Sequence, residues 1–524
     1  MATPFERTPF SEVIPESVNL KGLTKSSILT GRRRVRVIPQ TGTSYGPDGN
    51  KPMQCNILLQ DSAGLLDLQS CVLSFRLRTS TANNIDPEQI GIPDDFAWSV
   101  LQRLQLSLNS VLIDDVDYCG RRATMEAYST GSRSWYSSIG SIMGAWKFVE
   151  GRPNITAAAA AAPAIKLVAG VGAPLNPVLS VAAAAGGPVV GASGTNSVVV
   201  TGDTAAAIPK NDVVSKFLWA NIWFKNLSYG GAPAAWSAGE GQLFAIPLSC
   251  LSHFFKQTQY FPLRNAGQLY IQLLFAQANQ CIYGVATSAA TYSVTDLVME
   301  CDIVTAHPEF TALLDEICAR PEKEGLAMAY DSHLVSQQTP GAGGRVTVIA
   351  SKASQNLRSL HFTMMPANAI GVQTYFQNST FNSNDITQFQ MRVGSQYYPA
   401  FPSQGLSRNY MELLNSFNSP SRAVGQDCLI DYDQYRGTCS AAGVDANPLL
   451  YSHAASWVSG ICFDNLKHAE VLTHDGINTL SQSGSQIAVD VAIRDAAGNV
   501  GAVTTYIRFT RVILFAESGV QVLG

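Results

Sequence analysis

The sequence predicts an all-β chain built from two large β units, and three observations predict it. Runs of strict apolar/polar alternation recur from Gln54 to Phe515. A period of two is what a half-buried strand requires, because successive side chains leave opposite faces of a sheet. Turn residues (Gly, Pro, Asn and Asp) separate these runs. The 524 residues exceed one ordinary domain and fit two β units of roughly 200–250 residues each.

Composition narrows the function classes. Apolar residues make up 46% of the chain, enough for a substantial core, and charged residues only 14%, against roughly 25% in typical soluble domains. A charged surface keeps a free monomer soluble, so the shortfall points to a surface covered by partners or built from neutral polar groups. The net charge of −4 argues against a protein whose task is coating nucleic acid. Ten cysteines are scattered without a CxxC pair or zinc-finger spacing, several inside apolar strands, which points to a reducing place of synthesis. The segment after Met1 has no apolar h-region, and no apolar run approaches the roughly 20 residues of a membrane helix. The sequons at Asn154, Asn226 and Asn378 are read as chance.

Taken in order, residues 1–50 read as an N-terminal arm, punctuated by Pro4, Pro9, Pro15, Pro39 and Pro47. Arg32, Arg33, Arg34 and Arg36 within it have two readings: a basic tether touching nucleic acid, an inner membrane or an acidic partner, or a strand entry whose arginines are solvated or paired at a subunit contact. The second is favoured. From Gln54, Cys55, Ile57 and Leu59 alternate, then Cys71, Leu73, Phe75 and Leu77, then Leu104, Leu106 and Leu108. Asn109-Ser110 is a turn from which Val111-Leu112-Ile113 returns. Asp114, Asp115 and Asp117 read as a solvated strand end or helix start, since neighbours on a strand cannot converge on one hard cation.

Residues 155–209 are an Ala/Gly/Val/Pro tract with Lys166 and Asp203 nearly its sole charges. It is read as a long insertion of extended, weakly specified backbone. Lys216–Leu227 resumes the strand pattern. In residues 243–277 a short strand ends at Pro247, an aromatic-rich turn region follows, and Leu269, Ile271, Leu273 and Phe275 then alternate with Tyr270, Gln272 and Leu274. Leu297, Met299, Cys301 and Ile303 alternate next. His307 then precedes Pro308 at the first position of a short helix whose apolar face is Phe310, Leu313, Leu314 and Ile317. In the second half strands are read at residues 345–350, 360–364, 389–393, 487–493 and 506–515. The Gly341–Gly344 loop lacks a Walker lysine.

Several of these pieces resemble one family. Ile246-Pro247-Leu248, Phe254-Phe255 and Phe261-Pro262-Leu263 are similar, in order and spacing, to a stretch of the double jelly-roll major capsid proteins of eukaryotic DNA viruses. These include proteins of large nucleocytoplasmic viruses, virophages and polinton-like viruses. LQRLQLSLNSVLIDDVDYCGRRATMEAY, Met391–Ser395 with Tyr397-Tyr398-Pro399, and the closing TTYIRFTRVILFAESGVQVLG resemble the same family. The ordered series covers most of residues 50–320 and 340–524. The resemblance implies two tandem antiparallel jelly rolls of eight strands, each two sheets packed face to face, over residues 51–310 and 311–524. It implies a structural protein that trimerises into pseudo-hexameric capsomers of an icosahedral double-stranded DNA virus. Its partners would be neighbouring capsomers and minor capsid and penton proteins, with the arm touching the particle interior. Its place would be the virion, assembled inside the infected cell.

Chemistry-bearing motifs are sparse. His253, His307, His333, His361, His453, His468 and His474 form no HExxH and no Cys/His ligand spacing, and there is no GxSxG elbow. No catalytic, metal or cofactor residue is assigned, and no small-molecule substrate is expected. Trp135, Trp146, Trp219, Trp223 and Trp457 could stack sugars, although core or interface packing is the commoner use. The rivals are a carbohydrate-binding β-sandwich or viral attachment protein, and a jelly-roll hydrolase with a cleft carboxylate of raised pKa. Residues 1–50 and 155–209 are expected to order mainly on trimer or capsid contact. Limited proteolysis checks this: both segments should be cut faster in free than in assembled protein, and equal rates would contradict it.

Overall fold

The alternating runs fold as expected, each burying one face. A computed structural model describes residues 29–49, 51–61, 64–80, 92–145, 241–257, 260–283, 291–321, 325–339, 345–352, 354–366, 386–417, 457–463, 476–479, 486–493, 500–517 and 519–523, with short pieces between 164 and 202 and between 370 and 435. In residues 29–306 the principal strands are β1 (Leu29–Val37), β2 (Gln54–Gln60), β3 (Leu65–Ser80), β4 (Leu101–Leu108), β5 (Val111–Asp117), β6 (Gln242–Pro247), β7 (Gln268–Phe275) and β8 (Thr291–Ala306). They form two antiparallel sheets, β1-β8-β3-β6 and β2-β7-β4-β5. Beyond residue 320 come β9 (Leu326–Gln338), β10 (Arg345–Ser351), β11 (Leu357–Pro366), β12 (Ile386–Val393), β13 (Gln396–Gln404), β14 (Ser459–Cys462), β15 (Gln486–Ile493) and β16 (Val500–Ala516). Their sheets are β9-β16-β11-β14 and β10-β15-β12-β13.

Numbered within each half, both read 1-8-3-6 and 2-7-4-5. That is the jelly-roll order, in which the first and last strands of the chain lie side by side and the remaining strands pair outward from them. The fold is a double jelly roll. Its hairpins close as the turn chemistry requires: Asn109 and Ser110 both take positive φ (45° and 73°) between β4 and β5. Gly394 (φ 61°) does the same between β12 and β13. The expected helix is α2 (Pro308–Cys318), with Pro308 at its first turn and Leu314 and Ile317 buried.

Two stretches carry more order than the sequence reading gave them: the arginine-rich strand entry of the arm pairs within the chain, and the insertion forms strands. Residues 29–37, expected within the arm, form β1, which pairs with β8 in the register Arg34↔Asp302, Val35↔Cys301 and Arg36↔Glu300. Its arginines are held by acids: Arg32 and Arg34 meet Asp302, Arg33 meets Asp61 and Arg36 meets Glu300. In the 155–209 insertion, Ala164–Val168, Val178–Ala183, Gly187–Pro188 and Ser197–Gly202 pair with one another as a separate sheet. The strand expected at 216–227 lies outside the described residues.

One continuous cluster of buried side chains runs through both sandwiches. Aromatic rings join it across the seam: Phe254 meets Tyr330 at 5.5 Å, Phe261 meets Phe515 at 5.6 Å, and Tyr128 meets Phe381 at 6.0 Å between centroids. The eight described cysteines are free thiols.

After β5 the chain turns through Tyr118 into helix α1 (Cys119–Thr130), and the close approach of α1 to β4 depends on Gly120. A Cβ there would sit 2.4 Å from the carbonyl oxygen of Trp98 and 2.9 Å from that of Leu101. Alanine favours a helix over glycine by about 1 kcal/mol, but neither backbone carbonyl can yield cheaply. Gly120→Ala is therefore expected to destabilise by about 1–3 kcal/mol. Urea denaturation should show a lower midpoint at unchanged slope.

Candidate functional site at the junction of the two sandwiches

Helix α1 and the two tight turns after β6, Leu248–Cys250 and His253–Lys256, lie between the sandwiches. Arg122 on α1 is fully buried, and its Nη2 donates to the carbonyl oxygens of Cys250 (2.7 Å) and Leu251 (2.8 Å). Its Nη1 donates to Glu126, one turn along the helix. Glu126 also meets His253 Nε2 at 2.9 Å and accepts from Lys256. The His253 ring stands edge-on to His333 of β9, 4.6 Å between centroids. On β9 itself, Asp331 accepts from Arg508 Nε (2.8 Å) and from Arg358 Nη1 (3.1 Å).

The acidic run after the first hairpin behaves differently from the sequence reading. Asp115 and Asp117 do sit at a partly exposed strand end: Asp115 takes a bidentate pair from Arg103 (2.7 and 2.6 Å), and Asp117 lies 3.6 Å from the same guanidinium. Asp114, however, is completely buried. The register slips between Leu106 and Ser107, which face Asp114 and Leu112. This bulge turns Ile113 and Asp114 inward together, whereas regular alternation allows only one of two neighbours to do so. The carboxylate then spans the seam, accepting from Ser252 of the first sandwich and, at 2.6 Å, from Ser332 on β9. The neighbouring carbonyl of Ile113 accepts from the Tyr330 hydroxyl and from Arg511 Nη1 (2.6 Å) of the second sandwich. A second acid repeats the device. Asp94 accepts from the Ser379 hydroxyl and the Asn378 backbone N–H. Asn378, a sequon residue, donates its Nδ2 to the carbonyls of Ser99 (3.1 Å) and Gln280 (3.3 Å).

Burial sets the proton affinities here. It pushes the Asp114 carboxyl up, with the Ser252 and Ser332 hydroxyls opposing. Burial also opposes ionisation of Glu126, yet His253 at hydrogen-bond distance and the Lys256 and Arg122 cations together hold it well below the usual carboxylate range. For Asp331 the Arg508 and Arg358 guanidinium groups likewise outweigh desolvation and hold the carboxyl ionised. The histidines go the other way. Desolvation lowers His253 to about 4 and His361 to about 3, and lowers His333 well below its ordinary value with Arg122 adding to the effect. All three are neutral imidazoles near neutral pH.

Beside the junction lies a cavity of 540 Å³ whose walls include Trp98, Trp135, Glu126 and Lys256. Its carboxylate, Glu126, is held ionised, the reverse of what the hydrolase reading expects of a cleft acid. Trp98 stacks on Phe96 at 4.1 Å, Trp135 packs 6.2 Å from the same ring, and Trp457 is buried against Phe362. Trp146, Trp219 and Trp223, with His453, His468 and His474, lie outside the described residues. Among the described residues no group of three or more His, Cys, Asp or Glu is placed to hold a metal, and no helix is long and apolar enough to cross a membrane. The sequence signal that could have found the junction is weak. Arg122 and Glu126 look like an ordinary solvated helix face until the turns after β6 pack on them.

No protein-family model and no curated protein matches the chain. Solved structures similar to it include PBCV-1 VP54 fitted into a reconstruction of the virophage Sputnik, at 9% identity, 94% of this chain, 96% of that one and a TM-score of 0.46. The Faustovirus major capsid protein is similar at 10% identity, 93% and 90% coverage and a TM-score of 0.47. The mavirus major capsid protein is similar at 10% identity, 100% and 96% coverage and a TM-score of 0.43.

The buried histidines make stability depend on pH with a defined sign. Between about 6.5, where an unfolded histidine titrates, and about 4 for His253, the unfolded chain binds a proton that the folded chain refuses. Stability should therefore fall as pH drops through this window, by about 1.4 kcal/mol per pH unit for each such histidine. Denaturant titrations at stepped pH check this, and His253→Gln, which keeps a donor toward Glu126, should flatten the slope.

Proposed function

We propose that the chain is the major capsid protein of an icosahedral double-stranded DNA virus, with a structural and not a catalytic role. The observation that carries this reading is the strand order repeated in the two halves, β1-β8-β3-β6 with β2-β7-β4-β5 and β9-β16-β11-β14 with β10-β15-β12-β13. Two like sandwiches locked side by side turn a threefold assembly into an object with six like units. Such a capsomer has a nearly hexagonal outline and packs a closed lattice. On this reading the chain divides near residue 310, where α2 links the two jelly rolls, and it forms a homotrimer. Neighbouring capsomers and minor capsid and penton proteins complete the shell of the virion, assembled inside the infected cell. Specific interfaces of this kind bury about 1,000 Å² or more, and a chain with 14% charged residues supplies the neutral surface they need.

The mechanism is assembly through apolar and hydrogen-bonded contacts, with no substrate turned over. The depressed carboxyl of Glu126 in the cavity beside the junction supports a structural reading over a hydrolase. Light scattering of the full-length protein tests the proposal. The expected native mass is three times the 56.1 kDa chain, and a stable monomer at micromolar concentration would overturn it.

A further inference from the structure

The two sandwiches are alike in topology but not in what covers them. In each half the fifth strand is the edge of one sheet and the first strand is the edge of the other. Within the chain, the fifth strand of the first sandwich (β5) and the His253–Lys256 turn pack against the first-strand edge of the second (β9), while the helix that follows β5 (α1) reaches the second sandwich through Tyr128 on Phe381. Tyr330 and Arg511, cross-strand neighbours on β9 and β16, both donate to the Ile113 carbonyl, and Ser332 donates to Asp114. Their counterparts in the second sandwich are β13 and the helix after it, α3 (Leu406–Ser416). Helix α3 buries Leu413 and Leu414, but the outward side of this unit is bare: Phe401 is 76% exposed, Tyr397 48% and Met411 45%. The counterpart of β9 is β1, whose outward Arg32, Arg34 and Arg36 side chains are 63%, 61% and 70% exposed above more buried acids.

We propose that the β13–α3 surface of one copy docks on the β1 face of a second copy, repeating between chains the junction that each chain already makes within itself. This rests on the trimeric capsid reading and names its contact surfaces. The chemistry matches. Guanidinium groups stack on aromatic faces, so Arg34 and its neighbours cover Tyr397 and Phe401. Their N–H groups reach the outward carbonyls of β13 as Arg511 reaches Ile113. Pro399 and Pro402 remove two backbone donors from β13, so this edge cannot simply extend another sheet and must dock through side chains. Each copy presents one surface of each kind. The contact is therefore heterologous and closes into a ring where the rotation permits.

The test uses the full-length chain with cysteines at the two surfaces. Protein carrying Arg34→Cys mixed with protein carrying Phe401→Cys, treated with a short bismaleimide, should give crosslinked pairs absent from either variant alone. The chain carrying both should give a ladder ending at three copies. Ile139→Cys, which is 52% exposed elsewhere, sets the background from native thiols. Separately, Phe401→Asp with Tyr397→Asp should weaken association by about tenfold or more while circular dichroism and the melting transition stay unchanged. Arg34→Glu should do the same from the other side. A wild-type trimer that survives all these changes and gives no 34–401 crosslink overturns the docking surfaces and leaves the capsid reading standing. A wild-type monomer removes both.

Discussion

Desolvation at the seam between the sandwiches is the constraint on which the rest of the structure depends. Arg122 is fully buried and the Asp331 side chain is only 12% exposed, and a buried charge deprived of its partner costs about 3–5 kcal/mol. Each is compensated within its own half: Arg122 by Glu126 and the carbonyls of Cys250 and Leu251, Asp331 by Arg508 and Arg358. What crosses the seam is chiefly hydroxyl, carbonyl and ring contact: Ser332 to Asp114, Tyr330 to Ile113, Ser379 to Asp94, Phe254 on Tyr330. Guanidinium groups join them, Arg511 on the Ile113 carbonyl and Arg121 over the Phe381 ring. Because the large charges are settled beforehand, docking one half on the other strands none of them. The directional bonds of Asp114 and Asp94 then fix a single relative position.

The duplicated strand order leaves the same four edges in each half, and the chain treats them differently. An unprotected edge is a template for unwanted strand addition. β5 is covered by the second sandwich, β1 is lined with arginines, and β13 carries two prolines. The three devices differ in permanence. The first is sealed within the chain, whereas arginine and proline edges stay soluble and can still be covered by side-chain contact. Similar topology with dissimilar edges is what separates an internal interface from an external one.

Much of the fold was legible because one-sided burial writes its period into sequence. β7, the β4–β5 hairpin with its Asn109-Ser110 turn and the Pro308 helix all sit with one face in a core and one face freer. The elements that escaped are those where this rule fails. β9 buries Leu326, Met328, Tyr330 and Ser332 and half-buries Ala327, Ala329 and Asp331, so apolar alanines on its freer face and a serine on its buried face blur the signal. β1 is dense in arginine because its acids come from β8 and from Asp61, far along the chain. β14 spans only Ser459–Cys462, and α3 follows a mostly exposed strand whose burial shows no period of two. The junction was illegible for the same reason. The inward turn of Asp114 comes from a bulge, and a one-residue slip in register leaves no mark in composition.

The features hardest to read are thus the ones that make doubling useful. Two separate barrels building a six-membered ring need two kinds of contact, each specific and each paying its own loss of rotational freedom on association. A chain that locks one of those contacts internally has met that cost during folding. Its core runs unbroken from Tyr45 to Phe515, so the internal contact shares the cooperativity of the fold and cannot open at low concentration. Only one further kind of contact is then needed to close a ring, and its strength can be set low enough for errors in assembly to be reversed. Polar bonds at the internal seam supply orientation and, in the docking proposed above, exposed aromatics at a proline-guarded edge supply adhesion, a division of labour that follows from where the chain has buried its charges.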